Sequence, residues 1–260
     1  MEDFCKGCSQ SEYIIDECDR WYRCKLGRTE QSCKSDRKAV MKVVLTDHTP
    51  DPVMAIERAA ANCYDSKPSK SGRIMMACYG SGHHTPLEFA TFTFHVEGVS
   101  RALLAQITRY RHMVFNVRSQ RYCVEDDFKY IIPPKIAAST IACKAFSDCM
   151  DRYLYDYKQQ LALQSNPEDA RFVLPNACAT AFDVSMNLRE LIHFCGERRC
   201  ARAQWEIRKL ADMMAEEVIQ VMPQAAQMLA PKCEQHAPYC FCTESKGCGK
   251  HPCLNEVYDA

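Results

Sequence analysis

From residue 42 onward the apolar positions switch repeatedly between a period of two and a helical period. Residues 42–46 (KVVLT) read as a short strand. Asp51 followed by Pro52 is an N-cap with proline at the first helical position, opening a helix toward Cys63. Residues 89–96 (FATFTFHV) alternate cleanly. Ala90, Phe92, Phe94 and Val96 share one face and Thr91, Thr93 and His95 the other, as in a half-buried strand. Residues 100–111 follow as a helix with Leu103, Leu104 and Ile107 on its apolar side, and 135–163 form a long helical stretch after Pro133-Pro134. Residues 177–186 are strand-like, 188–195 helical, and the last strong helix covers 201–222 with the stripe Ile207, Leu210, Met214, Val218 and Val221. Strands and helices are interspersed without a regular βα repeat, which predicts an α+β fold rather than a doubly wound sheet.

Composition divides the chain into three zones. Residues 1–38 and 233–260 are polar and each carry five of the 18 cysteines; residues 39–232 hold the periodic pattern. The expected organisation is a core at 39–232 with a Cys-rich extension at 1–38 and a Cys-rich tail at 233–260. With 260 residues, 47% of them hydrophobic, the chain can bury one sizeable core. Thirty-three basic and 33 acidic residues cancel, so there is no overall basic field for nucleic acid and any anion site must be local. No apolar run is long enough to span a membrane, and the polar start MEDFCKGCSQ has no secretory h-region, so a cytoplasmic protein is expected. In that compartment the cysteines are expected to be thiols or metal ligands rather than a disulfide framework.

Residues 106–122 (QITRYRHMVFNVRSQRY) concentrate Arg109, Arg111, His112, Arg118 and Arg121 without one carboxylate. Arg109 and Arg111 could simply complement the negative C-terminal end of the predicted helix. That reading leaves Arg118 and Arg121 unexplained, since they fall in the expected loop beyond. Guanidinium forks match phosphate and carboxylate oxygens, and Asn116, Ser119 and Tyr122 add polar groups suited to a nucleotide. The chain has no G-x-G-x-x-G fingerprint (Gly80-Ser81-Gly82 lacks the third glycine), no Walker A loop and no H-E-x-x-H. Any dinucleotide would need a site built from side chains. Ser119 lacks an evident base, so it is not read as a nucleophile.

The pattern R-x-R-x4-N-x2-S-x-R-Y at 109–122 resembles the R-H-R-x7-S signature of the flavin-dependent thymidylate synthases. Two further blocks resemble the same family. One comprises residues 170–175 (ARFVLP), Asn187-Leu188-Arg189, Arg198 and residues 203–211 (AQWEIRKLA); the other is residues 83–94 (HHTPLEFATFTF). In order, the three span most of 41–232. The resemblance implies reductive methylation of deoxyuridine monophosphate (dUMP) to thymidylate. Methylenetetrahydrofolate would give the carbon, reduced FAD the hydride, and NADPH the electrons that reduce the flavin. It also implies a homotetramer with active sites shared between subunits, and FAD bound without a Rossmann fold.

By the same resemblance, Gln106, Ser119, Gln120, Arg121, Tyr122, Arg171 and Arg198 would hold dUMP. Arg121 and Arg171 suit the phosphate dianion, and Arg198 would stabilise charge developing on the uracil oxygens. Arg109, Tyr110, Arg111, Asn116, Asn187 and Arg189 would contact FAD, with His83, Thr85, Glu88 and His193 near the flavin. Arg198, Ser119 and His193 are the residues closest to the chemistry. Simpler roles stand beside these: Glu88 in a surface ion pair, Arg189 as an exposed helix residue, His193 as a core histidine. The folate-only thymidylate synthases use a cysteine nucleophile, of which Pro252-Cys253-Leu254 is a poor echo; the flavin route needs none.

Four positions depart from the family. Tyr110 replaces the central His of the triplet, Val114 a frequent Ser, Val117 an acidic or amide residue, and Cys63 a small hydroxyl residue after Asn62. His112 and Arg118 could compensate for Val117. Tyr110 and Val117 keep open a related methylation of a modified pyrimidine nucleotide. A third reading, from a different class, is a non-catalytic nucleotide- or zinc-binding interaction module. In the extension, Cys5-x2-Cys8 has zinc-knuckle spacing that Cys18 and Cys24 could complete; reduced thiols or a redox-sensitive pair are the alternatives.

Overall fold

The computed structural model describes residues 11–15, 20–24 and 37–258. Cys5, Cys8 and Cys18 lie outside these residues. Cys24 is described only as backbone, at the end of an antiparallel pair formed by β1 (Ser11–Ile15) and β2 (Arg20–Cys24), with Ser11 opposite Cys24. The chain divides into two compact units, one of residues 1–41, 97–104 and 117–181, the other of 42–96, 105–116 and 182–260. The architecture is α+β, as the interspersed periods predict.

The second unit contains most of a four-stranded sheet of order β3-β4-β6-β5, made by β3 (Lys42–His48), β4 (Thr91–Ser100), β5 (Val114–Val117) and β6 (Ala179–Asn187). The alternation in the sequence sets its faces. Phe92, Phe94 and Val96 are wholly buried, and Phe182, Val184 and Met186 of β6 are buried with them. Each such phenyl contributes roughly 2–3 kcal/mol of burial. The other face is polar: Thr93 Oγ1 donates to Ser185 Oγ (3.0 Å), and His95 Nδ1 lies 2.7 Å from Asp183 Oδ1. That register runs β4 antiparallel to β6.

Helix α1 (Pro52–Tyr64) begins as read, with the Asp51 carboxylate accepting from the Met54 N–H at 3.1 Å. Asp51→Ala is expected to cost about 1 kcal/mol, seen as a lower urea midpoint. Helix α2 (Arg73–Gly80) starts at Gly72, which has no side chain to cap it. The buried Glu57 of α1 does so instead, its two oxygens accepting from Met75 N–H (2.9 Å) and Ser69 N–H (3.0 Å). A short 3-10 turn (Thr85–Phe89) leads into β4. Phe89 is therefore not in the strand, and it is exposed.

In the first unit, α3 (Arg101–Ile107) begins and then passes into the second. It ends two residues before Arg109, so Arg109 and Arg111 stand in the following turn rather than on the helix. The stretch read as one helix from 135 is two: α4 (Pro134–Ala137) and α5 (Thr140–Ala162). Ser139 interrupts them because its hydroxyl caps α5 through Ala142 N–H. Met150 and Leu154 of α5 pack with Phe128, Tyr130 and Cys178. After α6 (Pro167–Ala170) and a 3-10 turn (Arg171–Val173), β6 carries the chain into the second unit.

There α7 (Leu188–Arg198) is capped by Asn187, and α8 (Trp205–Val221) by Gln204, later than the predicted start. Ile207, Leu210, Met214 and Val218 are fully buried, whereas Val221, at the end of the helix, is exposed. Leu45 N–H donates to Glu217 of α8, tying it to β3. Helix α9 (Leu254–Tyr258) lies in the tail. No helix among the described residues is long and apolar enough to cross a membrane.

Candidate active site

The basic segment is built differently from the loop expected after a helix. Its middle is strand β5, whose alternation turns Val114 and Asn116 outward. Phe115 meets Phe182 edge-on, with ring centroids 5.9 Å apart. Arg109, Arg111 and His112 in the preceding turn are exposed. Among the described residues neither Arg109 nor Arg111 forms an ion pair, so both charges remain available to an anion.

Tyr110 has the most structured surroundings in this segment. Its ring packs edge-on against Phe194 (5.2 Å) and His193 (5.7 Å) of α7. Its hydroxyl accepts from Nε of Arg198 at 2.8 Å, and the same guanidinium lies 5.4 Å from the ring centroid. Burial pushes the Tyr110 phenol up, more than Arg198 pulls it down. The hydroxyl is thus neutral at physiological pH and keeps its own proton to donate. Here the replacement of histidine gives Arg198 a fixed acceptor.

Other residues of this unit group more loosely. Arg189 Nη1 pairs with Glu88 Oε1 at 2.6 Å, so these two residues occupy each other. Asn187 uses its side-chain oxygen as the α7 cap, accepting from Glu190 N–H, and has its amide nitrogen left to offer. Thr85 is exposed at the start of the 3-10 turn, His83 half-buried just before it, and Gln106 half-buried in the last turn of α3.

In the first unit Arg121 and Arg171 both bond Glu168, a residue that sequence reasoning missed. Both Glu168 oxygens take Arg121, at 2.8 and 3.1 Å, while the Glu168 carbonyl accepts from Arg171 Nε at 3.0 Å. Asn166-Pro167 starts α6 and sets Glu168 in its first turn. That capping signal could have drawn attention to it. Tyr122 is exposed beside the Arg121 guanidinium, 5.4 Å from ring centroid to Cζ. Ser119 Oγ accepts from Arg121 N–H at 3.2 Å. Among the described residues no histidine bonds to it.

Two residues differ from expectation. Gln120 lies in the turn after β5 and is turned into the core, donating to Cys178 Sγ (3.6 Å). Its side chain is not presented beside Ser119 and Arg121. Arg118 pairs with the buried Glu125 at 3.2 Å, so its charge is committed there and does not compensate for Val117. Burial raises the Cys178 and Cys195 thiols to about 12, which leaves them inert as nucleophiles.

The result is an α+β protein with exposed guanidinium groups at Arg109 and Arg111, a cap amide at Asn187 and no glycine-rich loop. Its family follows from relatedness. A profile described as Thymidylate synthase complementing protein matches residues 44–224. The chain is 37% identical over 234 residues to a flavin-dependent thymidylate synthase of Nitratidesulfovibrio vulgaris, covering 81% of this chain and 95% of that one. Among solved structures it resembles a UMP/dUMP methylase from Streptomyces cacaoi bound with 5-Br dUMP. That match has a TM-score of 0.64 and 19% identity, and covers 74% of this chain and 95% of that one. It also resembles the Helicobacter pylori flavin-dependent thymidylate synthase complexed with FAD and dUMP, with a TM-score of 0.61 and 18% identity, covering 72% and 97%. At those identities the structural likeness speaks to fold. The chain belongs to the flavin-dependent thymidylate synthase family.

Proposed function

We propose that the protein methylates dUMP to dTMP, taking the carbon from methylenetetrahydrofolate and the hydride from FAD reduced by NADPH. The observation that carries this is the convergence of Arg121 and Arg171 on one residue, Glu168. Arg121 on the Glu168 carboxylate and Arg171 on its backbone carbonyl bring two guanidinium groups from separate segments to the same residue, a pair of forks that suits a phosphate dianion. Arg198, fixed by Tyr110, would neutralise charge on the uracil oxygens. The exposed Arg109 and Arg111 suit the FAD pyrophosphate, and Asn116, Asn187 and His193 add polar contacts of the kind a flavin accepts. When bound, reduced FAD supplies the hydride. Catalysis is assigned to residues 39–232, in a cytoplasmic homotetramer whose subunits share active sites.

Purified protein should be yellow or take up FAD. It should consume NADPH and form dTMP when given dUMP and methylenetetrahydrofolate. A colourless protein that neither binds FAD nor methylates dUMP would instead fit the non-catalytic binding module. Arg121→Ala is expected to raise the KM for dUMP about 10- to 100-fold, the scale of a charge-assisted hydrogen bond. Its effect on FAD affinity should be small. Equal KM values for variant and parent would remove Arg121 from the phosphate site.

A second reading is favoured by Tyr110, which replaces the family histidine and bonds to the arginine assigned to the pyrimidine ring. The similar Streptomyces protein is named as acting on UMP as well as dUMP. Competition between dUMP, UMP and base-modified analogues separates the two. Preferred turnover of an analogue would move the substrate assignment while leaving the reaction class.

A further inference from the structure

The tail is folded without an apolar core of its own. Leu229 is the last buried hydrophobic residue among those described. Beyond it the chain still follows a defined path. Lys232 N–H donates to Gly196 O (2.9 Å), Phe241 N–H to Cys233 O (3.2 Å), Cys242 N–H to Pro252 O (2.8 Å) and Leu254 N–H to Cys242 O (3.0 Å). A segment this short, with so little to bury, needs another source of stability, and a metal ion is one of the few available.

The side chains here are metal ligands. Sγ of Cys233, a carboxylate oxygen of Glu234 and a ring nitrogen of His251 lie within 4.8 Å of one another. Cys200, in the turn after α7, and Cys242 line the same cavity of about 410 Å³ as Cys233 and His251. A Cβ at Gly247 would sit 3.0 Å from Cys253 Sγ and 3.3 Å from Cys242 Sγ, so the chain passes tight against the sulfurs. These cysteines are all free thiols.

We propose that Cys233 and His251, joined by the Cys200 and Cys242 thiols that line the same cavity and close in on the ion, bind one structural zinc, which fastens the tail to the turn following α7. Three thiolates and one imidazole are a tetrahedral donor set that suits zinc. Glu234 Oε1 lies 3.0 Å from His251 Nε2, the hydrogen bond that orients a ligating imidazole and leaves the other ring nitrogen for the metal. Lys250 shares the Glu234 carboxylate, so the carboxylate serves as an orienting group rather than a fourth anion. Binding releases the three thiol protons to solvent. None of these four residues belongs to the Cys5/Cys8 motif of the extension.

Zinc analysis of the full chain, purified without chelator, tests it. One zinc per chain is expected, retained in a Cys5→Ser/Cys8→Ser double variant and lost in Cys233→Ser and in Cys242→Ser. The exposed Cys149→Ser is the control and should keep its metal. Should the cysteine variants aggregate, cobalt loading of the unsubstituted chain decides. A strong tetrahedral spectrum with thiolate charge-transfer bands is expected, and a weak octahedral one overturns the proposal. It is also overturned if the chain holds no zinc as purified or after zinc addition, if zinc survives both tail substitutions, or if mass spectrometry finds these cysteines in disulfides.

Discussion

An Arg198→Ala variant should lose about 100- to 1,000-fold in dUMP turnover while retaining its flavin spectrum, the scale seen when one preorganised charge-stabilising donor is removed. The guanidinium sits at the C-terminal end of α7, with Nε committed to the Tyr110 hydroxyl at 2.8 Å. Its terminal nitrogens are thereby aimed rather than free to rotate. Tyr110 is braced in turn by Phe194 and His193. Loss of the guanidinium should appear mainly in kcat, because charge on the pyrimidine oxygens develops during reaction and not on binding. Tyr110→Phe keeps the ring and removes only the acceptor, so its loss should be smaller. Single-turnover flavin oxidation in the two variants separates chemistry from binding; wild-type rates in Arg198→Ala would remove it from the site.

Gly98→Ala should destabilise the first unit by about 3–5 kcal/mol, combining left-handed backbone strain with overpacking. Gly98 has φ +69°, and a Cβ there would lie 2.1 Å from the Val40 carbonyl oxygen. That neighbour is backbone, so no side-chain rotation can relieve the clash. Against a typical stability of about 5–15 kcal/mol, the cost would be a large share of the whole. Urea unfolding and soluble yield read it directly. A variant that unfolds at the parent midpoint would show that the strand and the segment before β3 can separate cheaply.

The sheet and the longer helices were legible because their signals are local. The alternation at 90–96 predicted which residues are buried, and Asp51-Pro52 placed the α1 start. Boundaries failed where a side chain competes for the backbone, as with the Ser139 cap inside a continuous helical pattern. β5 was missed because four residues within a run of cations carry too weak a period to stand out. The family blocks, not the periodicity, pointed to Arg121, Arg171 and Arg198. The pairings of Arg121 with Glu168 and of Arg198 with Tyr110 were invisible, since they are tertiary contacts across 47 and 88 residues. Gln120 looked like a site residue from its neighbours, but the turn after β5 points it toward Cys178.

With Arg121 proposed as a phosphate ligand, its pairing with Glu168 would make anion capture an exchange of partners. A flexible arginine gives up about 2 kcal/mol of rotamer freedom when fixed, but this one is already ordered by its carboxylate. An arriving dianion meets a preset fork and must win it from a monoanion tethered nearby. Under that proposal the carboxylate would act as a built-in competitor, favouring a dianion over an uncharged nucleoside.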